Sequence, residues 1–278
     1  MTAQRKIEVH GHRGARGYFP ENTIISFMEA VKLGVDAIEL DVVISADKQV
    51  VVSHEAWMNG LFCFDPEGRP IAKNSREYNL YRMNYADIKK FDCGKGGNPD
   101  FLFQKAISTY KPLLSEVIKE VDAFTEKNKL PSVKYNIEIK TEELEPIGLY
   151  SPAAKEFVNL VQREIEKHGI TDRTNLQSFD VRIMQEIKRA ATKTETAFLV
   201  ENTKSFEENM NLLGFVPDTY SPEFILVNEE LVKKVRGKGM KLIPWTVNEI
   251  SDMKHMLELG VDGIITDYPD RAIDLVRK

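Results

Sequence analysis

The first 54 residues of the chain hold acids, imidazoles and a guanidinium of the kinds that metal-assisted attack on a phosphodiester requires. Such chemistry needs carboxylate oxygens for a hard divalent cation, a proton acceptor and a proton donor near neutral pH, and fixed positive charge on the phosphate. The stretches that supply these groups are His12-Arg13-Gly14, Pro20-Glu21-Asn22-Thr23, Glu39-Leu40-Asp41 and His54. Their types predict phosphodiester chemistry at a metal.

The acids are the most unusual part of this set. Glu39 and Asp41 lie two residues apart in strand-like sequence, where acids are disfavoured and repel each other unless a positive charge lies between them. Glu138 repeats the pattern in a later strand candidate, which Lys140 ends. We predict that these three carboxylates bind one divalent cation, Mg²⁺ or Ca²⁺, because both ions prefer oxygen ligands. Alternatively, each acid forms an ion pair with Lys140, Arg13 or a helix residue.

Two histidines, His12 and His54, each end a strand candidate. A single strand histidine is more often structural than catalytic, but two of them beside an acid cluster favour an acid-base pair. We assign His12 as the base and His54 as the acid. The remaining histidines lack such neighbours and are interpreted as structural: His10, His168 and His255.

Positive charge for the phosphate can come from Arg13 and Lys140. The Arg13 guanidinium can bind a phosphate through two hydrogen bonds, whereas Lys140 offers a point charge. Asn22 or Thr23 precedes a helix candidate and is a plausible N-cap. Glu21 has no comparable structural explanation, and we place it in the substrate pocket.

The elements that must position these residues alternate between β-branched runs and amphipathic stretches, which is typical of parallel strands joined by crossover helices. Strand candidates cover 6–12, 37–44, 49–54, 134–140, 174–179, 195–200, 220–227, 241–247 and 263–267, and helix candidates cover 24–33, 152–168, 180–192, 204–213, 229–237 and 249–259. The second and third strands are too close for a parallel crossover and should form an antiparallel hairpin. The other eight predict a (β/α)8 TIM barrel with its active site at the carboxyl ends of the strands.

The hairpin makes a geometric prediction. If its loop has an even number of residues, Glu39 lies opposite His54 and Asp41 lies opposite Val52. Residues two apart on a strand share a face, so both acids and His54 would then point the same way. A bulge or an odd loop would break this register.

The stretch from about 56 to 112 does not follow the strand-helix alternation and holds ten of the chain's 25 aromatic residues. A segment of this length is usually a functional insertion. We interpret it as a small cap beside the barrel mouth that shapes the substrate pocket, within one domain over residues 1–278. The alternative is a surface module stabilised by its aromatic residues.

Charge and hydropathy argue against two classes of protein, those that bind nucleic acid and those that span a membrane. The net charge of -5 gives no basic field for nucleic acid, and no apolar run approaches the roughly 20 residues of a membrane span. Cys63 and Cys93 are too few for a disulfide framework, so we expect unpaired thiols. The start has no secretory signal, which predicts a cytoplasmic location, or a periplasmic or secreted one if a signal was removed. The sequence does not predict an oligomeric state.

The ordered motifs resemble the glycerophosphodiester phosphodiesterase family from residue 8 to about 270. Besides the stretches already quoted, they are His54-Glu55, Asn136-Ile137-Glu138-Ile139-Lys140, Gln177-Ser178-Phe179, Trp245-Thr246-Val247 and Thr266-Asp267-Tyr268-Pro269. The resemblance implies a phospholipase-C-like TIM barrel, a divalent metal on the three acids and a pair of catalytic histidines. Two departures are Glu55, where members often have Asp, and Lys48, where they often have Gly.

The resemblance also implies a reaction, the hydrolysis of glycerophosphodiesters to sn-glycerol 3-phosphate and an alcohol. Phe179 and Trp245, at strand ends, would form an apolar wall against the glycerol carbons, with core packing as the alternative role. Two rival functions remain open. One is a lysophospholipase D or sphingomyelinase-D-like phosphodiesterase, and the other is a non-catalytic barrel that binds phosphodiesters.

Overall fold

Parallel strands form the centre of the molecule in the computed structural model, which describes residues 6–142, 144–190 and 193–277. The strands in this part of the chain are β1 (Glu8–Gly11), β2 (Ala37–Ile44), β3 (Val50–Val52), β4 (Lys134–Ile139), β5 (Thr174–Ser178), β6 (Glu195–Val200), β7 (Thr219–Pro222), β8 (Lys241–Leu242) and β9 (Gly263–Thr266). They are hydrogen-bonded in the order β8-β7-β6-β5-β4-β2-β1-β9, with β3 attached to β2.

Backbone hydrogen bonds between the two ends of this order close the barrel. The Ile265 N–H donates to the Pro244 carbonyl over 2.9 Å, and the Val247 N–H donates to the Ile265 carbonyl over 2.9 Å. The predicted (β/α)8 barrel with an extra antiparallel return strand is therefore confirmed. The predicted strands 220–227 and 241–247 are shorter in the structure because Pro222 and Pro244 lack the N–H that a continued ladder needs.

Helices connect the strands and cover the barrel. They are α1 (Ile24–Leu33), α2 (Tyr85–Ile88), α3 (Leu114–Asn128), α4 (Ala154–Lys167), α5 (Val181–Arg189), α6 (Phe206–Leu213), α7 (Glu229–Gly237), α8 (Ile250–Leu259) and α9 (Pro269–Val276). Three of these helices, α2, α3 and α9, are not among the helix candidates predicted from the sequence. The apolar spacing of α3 is a signal for a helix, since Leu114, Val117, Ile118 and Val121 are all buried. None of the described helices combines the length and apolar character needed to cross a bilayer.

The register predicted for the hairpin is wrong by one residue. Val42 lies opposite Val52, and Ile44 lies opposite Val50, which leaves an odd loop of five residues between the strands. Lys48 in this loop has a φ of 61°, a left-handed conformation. The odd loop removes His54 from its predicted place opposite Glu39.

The insertion after β3 has a small core of its own. Phe62, Leu80, Ile88 and Phe91 are buried there together with Cys63 and Cys93. The expectation of unpaired thiols is wrong, because these two cysteines form a disulfide. The physical reason is local strand-like pairing, in which Phe64 and Asp92 exchange backbone hydrogen bonds of 2.7 and 3.2 Å and bring the adjacent cysteines together.

Candidate active site

A cavity of about 510 Å³ opens at the carboxyl ends of the barrel strands. It is lined by His12, Arg13, Arg16, Glu39, His54, Glu138, Lys140, Thr141, Gln177, Phe179, Leu199, Glu201, Trp245, Thr246 and Ile265. The structure thus brings most of the predicted site residues to one place. Asp41 and Glu21 are buried behind this lining.

The three predicted carboxylates meet at the cavity floor. β2 and β4 pair in parallel with Asp41 beside Glu138, while Glu39 lies two residues earlier on β2. One ligand oxygen from each of the three buried acids lies within 4.8 Å of the others. This proximity follows from strand alternation, which places Glu39 and Asp41 on one face, and from the register of the adjacent strand.

Burial and mutual repulsion perturb the ionisation of these acids. Burial and the charges of Asp41 and Glu138 raise the pKa of Glu39 well above its ordinary value. Burial and Asp41 also raise the pKa of Glu138 to about 7, although Lys140 opposes this shift. Burial opposes the ionisation of Asp41, but Arg13, together with His54, Lys140 and Asn22, lowers its pKa. Burial and the proximity of the three acids therefore disfavour the fully ionised cluster.

Neutral donors fix the orientation of the acids. Glu39 Oε2 accepts from the Arg13 backbone N–H over 2.9 Å, and its Oε1 accepts from Gln177 Nε2 over 3.0 Å. Asn22 Nδ2 donates to Asp41 Oδ2 over 2.8 Å. Sequence reasoning missed these roles of Gln177 and Asn22. Of the two N-cap candidates predicted from the sequence, Asn22 and Thr23, it is the Thr23 side chain that caps α1.

The ion pairs considered as an alternative exist only in part. Lys140 Nζ lies 2.9 Å from Glu138 Oε1, and Arg13 Nε lies 3.2 Å from Asp41 Oδ2. However, Asp41 Oδ1 is buried without a hydrogen-bond partner among the described residues. Ion pairing therefore leaves a carboxylate oxygen of the cluster unsatisfied.

His12 follows β1 and is held by an acid from the other end of the chain. Its Nδ1 lies 2.7 Å from Asp267 Oδ1, and Asn248 Nδ2 donates to Asp267 Oδ2 over 2.7 Å. Burial lowers the pKa of His12, although Asp267 opposes the shift. The lowered pKa favours the neutral imidazole, and a tautomer with the proton on Nδ1 leaves Nε2 free to accept another. Asp267 lies in a motif quoted above but was given no role.

His54 reaches the same cavity although the predicted register is wrong. It lies beyond the end of β3, and its Nδ1 is 3.0 Å from Glu55 Oε1. Burial and the charge of Arg13 lower its pKa. The buried Lys111 donates to Ser53 Oγ over 2.8 Å, and that hydroxyl donates to the Glu55 carbonyl over 2.6 Å. Hydrogen bonds thus order the segment that carries this second histidine.

Glu21 organises the cationic side of the site. Its Oε1 accepts from Arg13 over 2.7 Å, and its Oε2 accepts from Arg16 over 2.7 Å. Glu21 is buried and does not itself line the cavity. The structure therefore places it behind the two arginines rather than in the pocket, where the sequence analysis expects it. Arg16, which was not predicted as a site residue, lines the cavity.

The opposite side of the cavity is mainly apolar. The rings of Phe179 and Trp245 meet edge to face with their centroids 5.3 Å apart. Trp245 Nε1 donates to the Ser221 carbonyl over 2.9 Å, which fixes the indole. Leu199 and Ile265 also line the cavity. Both aromatic residues are thus exposed to the cavity rather than confined to the core.

Comparison with known proteins agrees with this geometry. The sequence model of the glycerophosphoryl diester phosphodiesterase family matches residues 12–271. The chain belongs to this family. A glycerophosphodiester phosphodiesterase of Caldanaerobacter subterraneus is 30% identical over 275 residues, which cover 98% of this chain and 99% of that protein. The chain is accordingly an enzyme of the phosphodiesterase class.

Solved structures place the barrel among those of the same phosphodiesterase family. A structure from Silicibacter pomeroyi has a TM-score of 0.85 and 28% identity, and covers 98% of this chain and 94% of its own. An Oleispira antarctica phosphodiesterase, solved with the product sn-glycerol 3-phosphate, has a TM-score of 0.76 and 20% identity, covering 98% of each chain. A mouse protein named lysophospholipase D is 27% identical and covers 98% of this chain and 87% of its own.

In this phosphodiesterase the insertion contacts residues of the site but does not itself line the cavity. No residue of the segment 56–112, all of which the structure describes, lines the cavity. Instead, the Phe101 ring lies 4.6 Å from the Arg16 guanidinium, and Gln104 Nε2 donates to the Arg16 carbonyl over 2.8 Å. The insertion therefore supports Arg16 and, through Lys111, the segment that carries His54.

Proposed function

We propose that this enzyme hydrolyses glycerophosphodiesters to sn-glycerol 3-phosphate and an alcohol, using one divalent cation and two histidines. The observation that carries the proposal is the meeting of Glu39, Asp41 and Glu138 within 4.8 Å, in a cavity that His12 and His54 also line. The names of the relatives and the product bound to the Oleispira antarctica phosphodiesterase support the substrate class.

The acid cluster fits Mg²⁺ or Ca²⁺. All three acids are buried and offer oxygen ligands, Asp41 Oδ1 has no hydrogen-bond partner in the described chain, and the pKa of Glu39 is raised by burial and its acidic neighbours. We therefore assign Glu39, Asp41 and Glu138 as the residues that would hold the ion. When bound, such an ion polarises a phosphate oxygen and lowers the pKa of a neighbouring hydroxyl.

The histidines would move the protons. His12, oriented by Asp267 and favoured in its neutral form, would take the proton from the attacking hydroxyl on Nε2. His54 would give a proton to the leaving alkoxide, and the negative phosphate beside it would favour its protonated form. Each group is expected to contribute on the order of 10² to 10⁴ in rate. Both the glycerol 2-hydroxyl and water are suitable nucleophiles.

The remaining predicted residues would bind the substrate. Arg13 and Lys140 line the cavity and would offset the negative charge that grows on the phosphate oxygens. Glu21 would hold Arg13 in place for that role. Phe179 and Trp245 would contact the carbons of the glycerol.

The test is a glycerol 3-phosphate release assay with glycerophosphocholine, glycerophosphoethanolamine and glycerophosphoinositol. We expect release from at least one of these diesters. Absence of product from all of them, with a folded protein and Mg²⁺ or Ca²⁺ supplied, would contradict the proposal and favour a barrel that only binds phosphodiesters.

A lysophospholipase D activity is the second candidate, favoured by the name of the mouse relative. An acyl chain would need a long apolar channel, and the insertion contributes no residue to the described cavity lining. We therefore rank this activity second. Adding lysophosphatidylcholine to the same assay separates the two, since faster turnover of the lysolipid than of glycerophosphocholine would reverse the ranking.

A further inference from the structure

Glu201 is an acid that the proposed mechanism does not use. It follows the last residue of β6 and lines the cavity together with Phe179 and Trp245. Of the three acids in that lining, Glu39 accepts hydrogen bonds from Arg13 and Gln177, and Glu138 pairs with Lys140. Glu201 is exposed and makes no hydrogen bond or ion pair among the described residues. Its carboxylate is thus available to a ligand.

The strand order places the backbone position of Glu201 between the positions of the two aromatic residues along the mouth. Phe179 directly follows β5, which pairs with β6, and the β6 residue Val200 pairs with Pro222 of β7. The Trp245 N–H donates to the carbonyl of that proline over 3.1 Å. Glu201 follows β6. This strand lies between β5, which precedes Phe179, and β7 and β8, which lead to Trp245.

The cavity is consequently electrically asymmetric. Arg13, Arg16 and Lys140 line one side, where the phosphate is proposed to bind, and Glu201 belongs to the apolar side. A carboxylate close to aromatic rings favours an ammonium group, which gains both Coulomb attraction and contact with a ring face. Lys140 Nζ already lies 5.6 Å from the Phe179 ring centroid, so Trp245 is the more available ring.

We propose that Glu201 determines specificity by binding the ammonium group of an amino-alcohol head group, ethanolamine or choline. This inference rests on the proposed function. A zwitterionic diester would place its phosphate against Arg13 and Lys140 and its cation against Glu201. A diester with a neutral polyol as its alcohol would gain nothing from this carboxylate.

The test compares kcat/KM for glycerophosphocholine, glycerophosphoethanolamine and glycerophosphoglycerol in the wild-type enzyme and in Glu201→Gln and Glu201→Lys. The ratio of kcat/KM for a zwitterionic diester to that for glycerophosphoglycerol, whose alcohol is uncharged, cancels any effect common to both. Because an exposed charge pair is worth little, we expect this ratio to fall about threefold in Glu201→Gln and about tenfold in Glu201→Lys. High salt should lower the ratio in the wild type but not in Glu201→Gln.

A matched control is Glu223→Gln, which changes an acid just beyond β7 that does not line the cavity and should leave the ratio unchanged. If the wild-type enzyme hydrolyses all three diesters and Glu201→Gln keeps the wild-type ratio, the assignment of Glu201 is overturned while the proposed function stands. If the wild-type enzyme hydrolyses none of them, the proposed function fails and this inference fails with it.

Discussion

The two sides of the barrel mouth are built in opposite ways. On the charged side, from the ends of β1, β2 and β4, the functional groups are buried and held by several partners, as Glu39 is by Arg13 and Gln177. On the apolar side, from the ends of β5 to β8, Phe179 and Trp245 contact each other, and Glu201 is exposed and has no partner among the residues that the structure describes. Fixed groups suit the chemical step, because preorganised charges need not reorient in the transition state. The looser side suits discrimination between head groups.

The largest effect should come from the histidines of the charged side. Replacing His12 by Ala removes the proposed proton acceptor and should lower kcat by about 10³-fold, within the range expected for acid-base catalysis. The thermal midpoint should stay nearly unchanged. His255→Ala, a change of an exposed histidine on α8, is the matched control and should retain full activity. Wild-type turnover by His12→Ala would show that this side does not carry the chemistry.

The next largest effect concerns the acid cluster and does not require activity as a readout. Glu39→Gln removes a proposed ligand together with a buried charge that repels Asp41 and Glu138. We expect Mg²⁺ or Ca²⁺ to raise the thermal midpoint of the wild-type protein, because a ligand that binds only the folded state stabilises it. This increase should be lost in the variant, whereas the midpoint without cation should not fall. An unchanged cation-dependent increase would contradict the assignment of Glu39.

Removing the partner of His12 should have a smaller effect with a defined sign. Asp267 raises the pKa of His12 against the lowering effect of burial. His12 must be neutral to accept a proton, so activity is present above its pKa and is lost as the pH falls through it. In Asp267→Asn the pKa falls further, and the acid limb of kcat/KM should therefore move to lower pH. Because the ring loses its orientation, we also expect about 10- to 100-fold lower kcat. An acid limb that stays in place or moves to higher pH would exclude Asp267 as the positioning group.

The smallest effect should come from the insertion. Phe101→Ala removes the ring beside the Arg16 guanidinium. Because a partly exposed cation-π contact contributes little free energy, KM should rise only about two- to fivefold. Phe103→Ala is the matched control, since Phe103 is 62% exposed and lies in the same segment. Equal KM values for the two variants would show that the insertion does not act on the site through Arg16.

The sequence predicts the parts of the site that local periodicity determines. Alternation along β2 is sufficient to place Glu39 and Asp41 on one face, and crossover topology brings Glu138 next to Asp41. The position of His54 could not be derived in the same way, because the register depends on an odd loop with Lys48 in a left-handed conformation.

The positions of other residues depend on contacts between distant parts of the chain. Asp267 reaches His12 across 255 residues only because the barrel closes. Cys63 meets Cys93 because neighbouring backbone segments pair within the insertion. Glu21 lies behind Arg13 and Arg16, which the spacing of charges along the sequence does not show. In each case the residue type was visible in the sequence and its partner was not.

We propose that the acid cluster holds a cation needed for phosphodiester hydrolysis. This claim can be tested by measuring glycerol 3-phosphate release from a glycerophosphodiester by chelator-treated protein, before and after addition of Mg²⁺ or Ca²⁺. Activity should be lost on chelation and restored by at least one of these ions in the wild-type enzyme, but not in Glu138→Gln. Full activity of the chelator-treated enzyme without added cation would contradict the claim.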